Sequence, residues 1–417
     1  MESHGSRRLG IPLRPLAVVV TSVVVMGIAS LVYLWPTIGL LHPASNHLIP
    51  RTAAYASYVV IAESASDAYV LERPAGGGPS SANFYRTWDA GVTWRRIALP
   101  ALPNGFFFVV TSLPAGKLFL RTFAFGISSG AQQSYIGDGT TWSQILLPDA
   151  GTGSLQMIDA RLGFFVVTQT AGTPPVQELL IFRTVDGGRT WEQRLSLTAD
   201  HPSGGGLGLT DDTRFFGFSD AMHAWLVVVP QSWGTVCGTT STRDPIQQLM
   251  ASQDGGGTWT PVSLPNPPQF STELGIPVFP GAGGAGYLPV TVDTYVGQCP
   301  PVGLQYAYTT LNGGATWSGP ERLPGQTLDS PDGMVWWASD GHQLFRSNNQ
   351  GQNWKTTAPN LPAAAVTLVE LSAVDAQTVW SVWSEGNSQS QSQPQPQVVL
   401  RTADAGSHWS EVKIPGD

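Results

Sequence analysis

The chain has 417 residues, a formal net charge of −8, 47 glycines, 33 prolines and only 12% charged residues, a composition suited to many short strands joined by tight turns. Its 15 tryptophans and 16 phenylalanines exclude a disordered polymer. Only three lysines and no basic patch exclude nucleic-acid binding on electrostatic grounds, and two cysteines exclude a disulfide-rich scaffold or a cysteine-ligated zinc site.

Residues 1–15 carry Arg7, Arg8 and Arg14, and an uncharged run of twenty residues follows from Leu16 to Trp35. As a helix, such a run spans a hydrocarbon core of roughly 30 Å. Val18, Val19 and Val20, then Val23, Val24 and Val25, make it apolar all round, which argues against a helix packed on one face. The basic flank predicts that the N-terminal side stays cytoplasmic and that the rest is sent outward. A cleaved signal peptide needs a shorter apolar region of about 7–15 residues with a small-x-small site close behind it. The best such site, Ala54-Tyr55-Ala56, lies well beyond the run. The expectation is therefore a short cytoplasmic N-terminus (1–15), an uncleaved transmembrane signal anchor (16–36), a linker (37–51) and an extracytoplasmic domain (52–417). Beyond the anchor stand 18 basic and 28 acidic residues, a net of −10.

The domain repeats one eight-residue turn. In chain order it reads Thr87-Trp-Asp89-Ala-Gly91-Val-Thr93-Trp94, Thr184-Val-Asp186-Gly-Gly188-Arg-Thr190-Trp191 and Ser252-Gln-Asp254-Gly-Gly256-Gly-Thr258-Trp259. Looser copies are Thr310-Leu-Asn312-Gly-Gly314-Ala-Thr316-Trp317, Ser347-Asn-Asn349-Gln-Gly351-Gln-Asn353-Trp354 and Thr402-Ala-Asp404-Ala-Gly406-Ser-His408-Trp409. An eroded copy ends at Thr141-Trp142, with Gly137 where the acid is expected. Each copy lies between two runs rich in β-branched and aromatic residues, a hairpin signature, and two further apolar runs precede each hairpin. Four strands per unit and seven units predict an all-β, seven-bladed β-propeller of four-stranded blades, over roughly 52–100, 101–149, 150–200, 205–266, 267–325, 326–361 and 362–417. The turn tryptophans fall 48, 49, 68, 58, 37 and 55 residues apart, around the spacing of four-stranded blades in a closed ring. No 3.6-residue apolar period appears outside the anchor.

Within the turn, the Asp can accept hydrogen bonds from backbone N–H groups of its own loop, the Gly permits positive φ, and the Trp is a large apolar plug between sheets. These are structural roles. No second carboxylate stands at ligand spacing, so neither a metal site nor any other cofactor is expected.

These turns resemble the Asp-box, or bacterial-neuraminidase, repeat shared by sialidases, sortilin-type receptors and the photosystem II stability/assembly-factor family. The likeness to the assembly factors lies in Phe182-Arg-Thr-Val-Asp-Gly-Gly-Arg-Thr-Trp191 and in Leu-Pro exits at Leu99-Pro100, Leu147-Pro148, Leu264-Pro265 and Leu323-Pro324. It implies a non-catalytic protein-interaction or assembly scaffold. The likeness to sialidases implies the alternative, an exo-glycoside hydrolase needing three arginines on a carboxylate, a Tyr/Glu pair and an Asp acid. The sialidase Arg-Ile-Pro signature is missing: Leu48-Ile-Pro-Arg51 has the wrong order. Arg86, Arg183, Arg346 and Arg401 stand just before boxes, away from where a site is expected. Neither a His-Glu-x-x-His pair nor a Gly-x-Ser-x-Gly elbow is present.

The variable lengths fall between the second and third strands of nearly every unit, at 74–81, 123–132, 170–177, 230–245, 294–301 and 385–397. Those loops leave the ring opposite the boxes, on the face where a rigid scaffold usually carries function. Trp233, Arg243 and Tyr295 are the candidate partner-binding residues there. Cys237 and Cys299 hold the same loop position in blades four and five, which fits a disulfide in an exported domain and equally two separate small hydrophobes. The Ser/Gln/Pro run 388–397 is a solvated loop. Tryptophans at 336, 337, 380 and 383 sit on second strands, where core packing is favoured over carbohydrate stacking.

Overall fold

The computed structural model describes residues 57–415, apart from 74–81, 103–105, 125–132, 151–152, 172–175, 199, 209–211, 230–246, 266–271, 282, 295–301, 358–364 and 386–396. The chain forms seven successive four-stranded antiparallel meanders, the blades of an all-β propeller. Their first and last strands are Ser57–Ala62 and Arg95–Ile97, Phe106–Leu113 and Trp142–Gln144, Ser154–Met157 and Glu192–Leu197, and Asp212–Phe218 and Thr260–Pro261. Blades five to seven run from Thr272–Leu274 to Ser318–Arg322, Thr327–Asp329 to Lys355–Thr357, and Ala365–Ala373 to Ser410–Val412. The anchor expected at 16–36 lies outside the described residues; among those described, no helix is long and apolar enough to cross a membrane.

Both faces of a blade are covered by neighbours, so the second strands are nearly continuous apolar runs, such as Ala-Trp-Leu-Val-Val-Val over Ala224–Val229. Successive strand residues point to opposite faces, and the paired tryptophans use this. Trp336 packs with Tyr287 of blade five, while its neighbour Trp337 packs with Leu371 and Val379 of blade seven. Trp380 joins the cluster shared with blade one, and Trp383 the cluster shared with blade six. All four are fully buried. The outer strands are short, down to Thr260–Pro261, which leaves little exposed edge for a foreign strand.

The innermost strand of each blade has a sheet neighbour on one side only, and its free N–H and C=O groups need partners. Among the described residues, side chains of the preceding blade supply them at six of the seven joints. Arg73 donates to Phe108 O at 2.9 Å, Arg121 to Leu155 O at 3.3 Å, and the Gln156 amide bonds both Phe218 N–H and Phe218 O at 2.9 and 2.8 Å. The Leu274 N–H donates to Gln247 Oε1 at 2.6 Å and the Ala373 N–H to Asp329 Oδ2 at 2.7 Å. The joint that closes the ring is the most heavily bonded: the N–H groups of Tyr58, Val60 and Ala62 donate to Gln397, Glu370 and Ser372 of blade seven. Among the described residues no strand is exchanged between the first and last blades, and side chains join them.

One element departs from the expected layout. The fourth unit was expected to begin at 205, but Ser203–Gly204 and Leu207–Gly208 form a separate two-stranded hairpin before blade four. Its tip lies against the fourth box turn, where Gly205 O accepts the Trp259 N–H.

Removing one joint side chain has a definite cost. Gln156→Ala strands a buried N–H and C=O at Phe218, and about 1–3 kcal/mol of stability is expected to be lost. Urea unfolding should show a lower midpoint at unchanged slope; an unchanged midpoint would mean the joint does not depend on this amide.

Candidate functional site

In a meander the 1–2 and 3–4 turns emerge at one end of the blade and the 2–3 connection at the other. The ring therefore has a box face and a loop face. Six box turns are held by one geometry. A buried hydroxyl at the first position (Thr87, Thr184, Ser252, Thr310, Ser347, Thr402) donates to the carboxylate or amide oxygen two residues on, at 2.8–2.9 Å. It also accepts the N–H of the glycine four residues on, at 2.9–3.0 Å. The same Asp or Asn oxygen accepts the N–H of the seventh residue at 2.8–3.0 Å. Each of these turns is then pinned to the 1–2 turn of its own blade by one backbone bond, for example Gly187 N–H to Arg161 O and Ala405 N–H to Gln377 O.

The glycine is demanded twice over. Gly188 has φ +82°, and a Cβ there would stand 2.3 Å from Ile145 Cγ2 of the preceding blade. The tryptophans continue this contact. Trp94, Trp142 and Trp191 donate from Nε1 to Lys413 O, Ala98 O and Leu146 O, each on the exit of the blade before. Trp317, Trp354 and Trp409 pack against Leu264, Leu323 and Leu344 of their preceding blades. Trp259 is the exception: it is buried under the 203–208 hairpin and donates to its own Gly256 O at 3.1 Å.

Two features of this face went unread in the sequence. The hub is the first-position hydroxyl, whose signal was Thr or Ser at that position in all six full copies. In blade two the acid is present after all, one residue beyond Gly137. Asp138 Oδ1 accepts from Thr140 N–H at 2.9 Å and Thr141 N–H at 3.0 Å, so this is a box turn shortened by a residue.

The box carboxylates are held ionised. The Thr93 hydroxyl and amide bring Asp89 down to about 2. At Asp254 burial opposes ionisation but is outweighed by the Thr258 amide and hydroxyl, again giving about 2. The His408 amide and imidazole hold Asp404 at about 2. Asp138 and Asp186 are lowered further by the same kind of bond, led by the hydroxyls of Thr140 and Thr190. Carboxylates so held do not serve as general acids near neutral pH.

The four arginines that stand just before boxes are committed to structural bonds. Arg86 forms a two-pronged bond to Asp67 at 2.9 and 2.7 Å, and Arg183 pairs with Glu192. Arg346 reaches Ala376 O and Arg401 reaches Ala65 O, each bracing the 1–2 turn of the next blade. Arg121, expelled from water, falls to about 10 and stays a cation bonded to Leu155 O. Among the described residues, no group of three or more His, Cys, Asp or Glu side chains is arranged to hold a metal ion.

On the loop face long 2–3 connections leave blades one, two, four, five and seven, whereas blades three and six are joined by four residues each, 172–175 and 340–343. Trp233, Arg243, Tyr295, Cys237 and Cys299 lie outside the described residues.

No family model matches the chain, and no curated protein does. Among solved structures it is similar to YCF48 bound to D1 peptide, at 16% identity, covering 83% of this chain and 93% of that one with a TM-score of 0.45. It is also similar to an ulvan lyase of a polysaccharide lyase family, at 12% identity, 89% and 86% coverage and a TM-score of 0.41. Prolyl oligopeptidase B from Galerina marginata aligns at 10% identity over 87% of this chain and 51% of that one, with a TM-score of 0.51. The likeness is one of fold. Propellers of such different occupations share it, so function has to be argued from the faces.

The lowered carboxylates predict an acid response that differs by blade. Their folded pKa lies below the usual value of about 3.9, so their contribution is complete above that pH and is lost as pH falls towards about 2. Asn312 and Asn349 do not titrate. Hydrogen exchange between pH 5 and pH 2, corrected for intrinsic rates, should show the box turns of blades one, four and seven loosening while those of blades five and six hold. Uniform loosening would contradict this.

Proposed function

We propose that the propeller is a non-catalytic protein-interaction or assembly scaffold, held on the extracytoplasmic side of a membrane by the 16–36 anchor. The observation that carries this reading is the asymmetry of the ring. The 3–4 turns of the box face have seven residues in six blades and are spent on holding the blades together. Five of the seven 2–3 connections are long and all leave from the opposite face, with the segments 230–246 and 295–301 in adjacent blades. Variable loops on a rigid support are where binding specificity is placed. The partner's contacts are assigned to 231–245 and 295–301, including Trp233, Arg243 and Tyr295. A Cys237–Cys299 disulfide would tie these two loops together in an oxidising compartment.

The hydrolase alternative is disfavoured because the Arg-Ile-Pro signature is missing, and Arg86, Arg183, Arg346 and Arg401, which stand on the box face, serve ion pairs or backbone carbonyls there.

Deleting 231–245 and 295–301 together tests the scaffold reading. The expected result is an unchanged thermal midpoint with loss of partners crosslinked in native membranes; an unchanged partner set would overturn it. The intact protein is expected to give no turnover of a fluorogenic sialoside, and measurable turnover would restore the enzyme reading.

A further inference from the structure

The box face has a surface character that its structural duties do not require. Six of the seven large hydrophobic side chains exposed among the described residues lie in its turns: Trp88, Val92, Val185, Met222, Leu311 and Met334. Leu311 is 64% exposed and Trp88 50%. Scattered apolar residues on a surface are ordinary; a gathering of them on one face marks an interaction site.

Three of them stand on successive blades. Met222 is in the 1–2 turn of blade four, Leu311 in the box of blade five and Met334 in the 1–2 turn of blade six. The last two turns are stitched together, because the Gln350 amide donates to both Thr310 O and Gly333 O. In blade one, Trp88 has a fixed neighbour. The Arg86 guanidinium lies 4.8 Å from its ring and 4.7 Å from that of Tyr69, and is itself clamped by Asp67. A half-exposed tryptophan braced in this way is the kind of rigid aromatic anchor on which interfaces depend.

Charge selects the occupant. The turns of this face hold eleven carboxylates against Arg161 and Arg189, and Arg86, Lys117, Arg194, Arg346 and Arg401 reach the turns from neighbouring strands, a net of −4. The face stays acidic with these cations counted. The charges alternate with the apolar groups: Trp88 adjoins Asp89, Val185 adjoins Asp186, and the N–H groups of Met222 and Met334 donate to Asp220 and Asp332 two residues before them. The fold does not need this charge, since Asn312 and Asn349 hold their turns with a neutral amide.

We propose that the box face is a second interaction surface, taking a protein segment in which lysine or arginine alternates with apolar side chains. The apolar groups seat on Met222, Leu311 and Met334, with Trp88 as a separate anchor, and the cations meet the carboxylates between them. This surface is distinct from the loop face assigned above.

The test uses the intact chain and three synthetic twelve-residue peptides: alternating Lys-Leu, Lys-Ser and Glu-Leu. Lys-Leu is expected to bind, with affinity falling as salt is raised. The Met222→Ser/Leu311→Ser/Met334→Ser variant should weaken binding at least tenfold without moving the thermal midpoint, and Trp88→Ser should weaken it independently. Should the triple substitution disturb the fold, Trp88→Ser alone and crosslink mapping of the bound peptide decide. The chain lacking 231–245 and 295–301 should bind Lys-Leu unchanged, which separates this surface from the loop-face reading. Equal binding of Lys-Ser would reduce the face to bare charge and overturn the proposal. So would equal binding of Glu-Leu, binding unaffected by the substitutions, or crosslinks confined to the loop face.

Discussion

A four-stranded blade has an inner edge that no fifth strand covers, and the rest of this ring depends on how that edge is satisfied. Unpaired backbone groups buried there would each cost on the order of 1–3 kcal/mol, enough across seven blades to exceed the whole stability of an ordinary domain. The chain meets the need with single polar side chains reaching from one blade to the next. This makes each joint directional: a blade supplies the groups that complete its successor. At the closing joint Gln397, Glu370 and Ser372 of the last blade complete the first, so the ring's stability is tied to having both ends of the domain in place.

The box turns serve the same end from the outside. Their glycines allow the preceding blade to approach, and their tryptophans fill the gap and, in three blades, bond its exit carbonyl. Among the described residues, inner-edge side chains and outer tryptophans thus hold five of the seven joints at two radii. Blade four shows what happens when the outer contact is interrupted. A hairpin intrudes, Trp259 turns in under it, and the bond to the preceding blade is replaced by one within the turn.

Blade number and strand count were legible because the box is a local motif: hydroxyl, acid, glycine and tryptophan act within eight residues, and their spacing survives in the letters. The first-position hydroxyl was equally visible but looked like an ordinary polar strand end until its bonds to Asp and Gly were seen. Asp138 was obscured because the turn lost a residue, which shifted the frame while the bonds re-formed around it. The joint residues Arg73, Arg121, Gln156, Gln247 and Asp329 were not legible at all. They occupy different strands and registers, and only the ring brings them to an inner edge. Exposed apolar groups on the box face were hidden for a related reason. Trp88, Val185 and Leu311 occupy a position between strand and turn where sequence alone cannot separate a buried side chain from an exposed one.

The separation of the two faces has a physical origin. A box turn needs an oxygen to gather inward-pointing N–H groups, and a carboxylate and an amide both supply one. Five turns nevertheless use aspartate and two use asparagine, with the same hydrogen-bond distances. Repeating an acid around a ring concentrates charge on one face as a consequence of architecture, and like charges so gathered repel one another unless solvent or a partner screens them. The 1–2 turns add Asp159, Asp220, Asp332 and Asp375, each bonding local N–H groups in the same manner. The acidity of the box face is therefore the sum of many separate turn solutions. The apolar side chains set among those acids satisfy no turn, and they give this face a chemistry beyond the one that builds it.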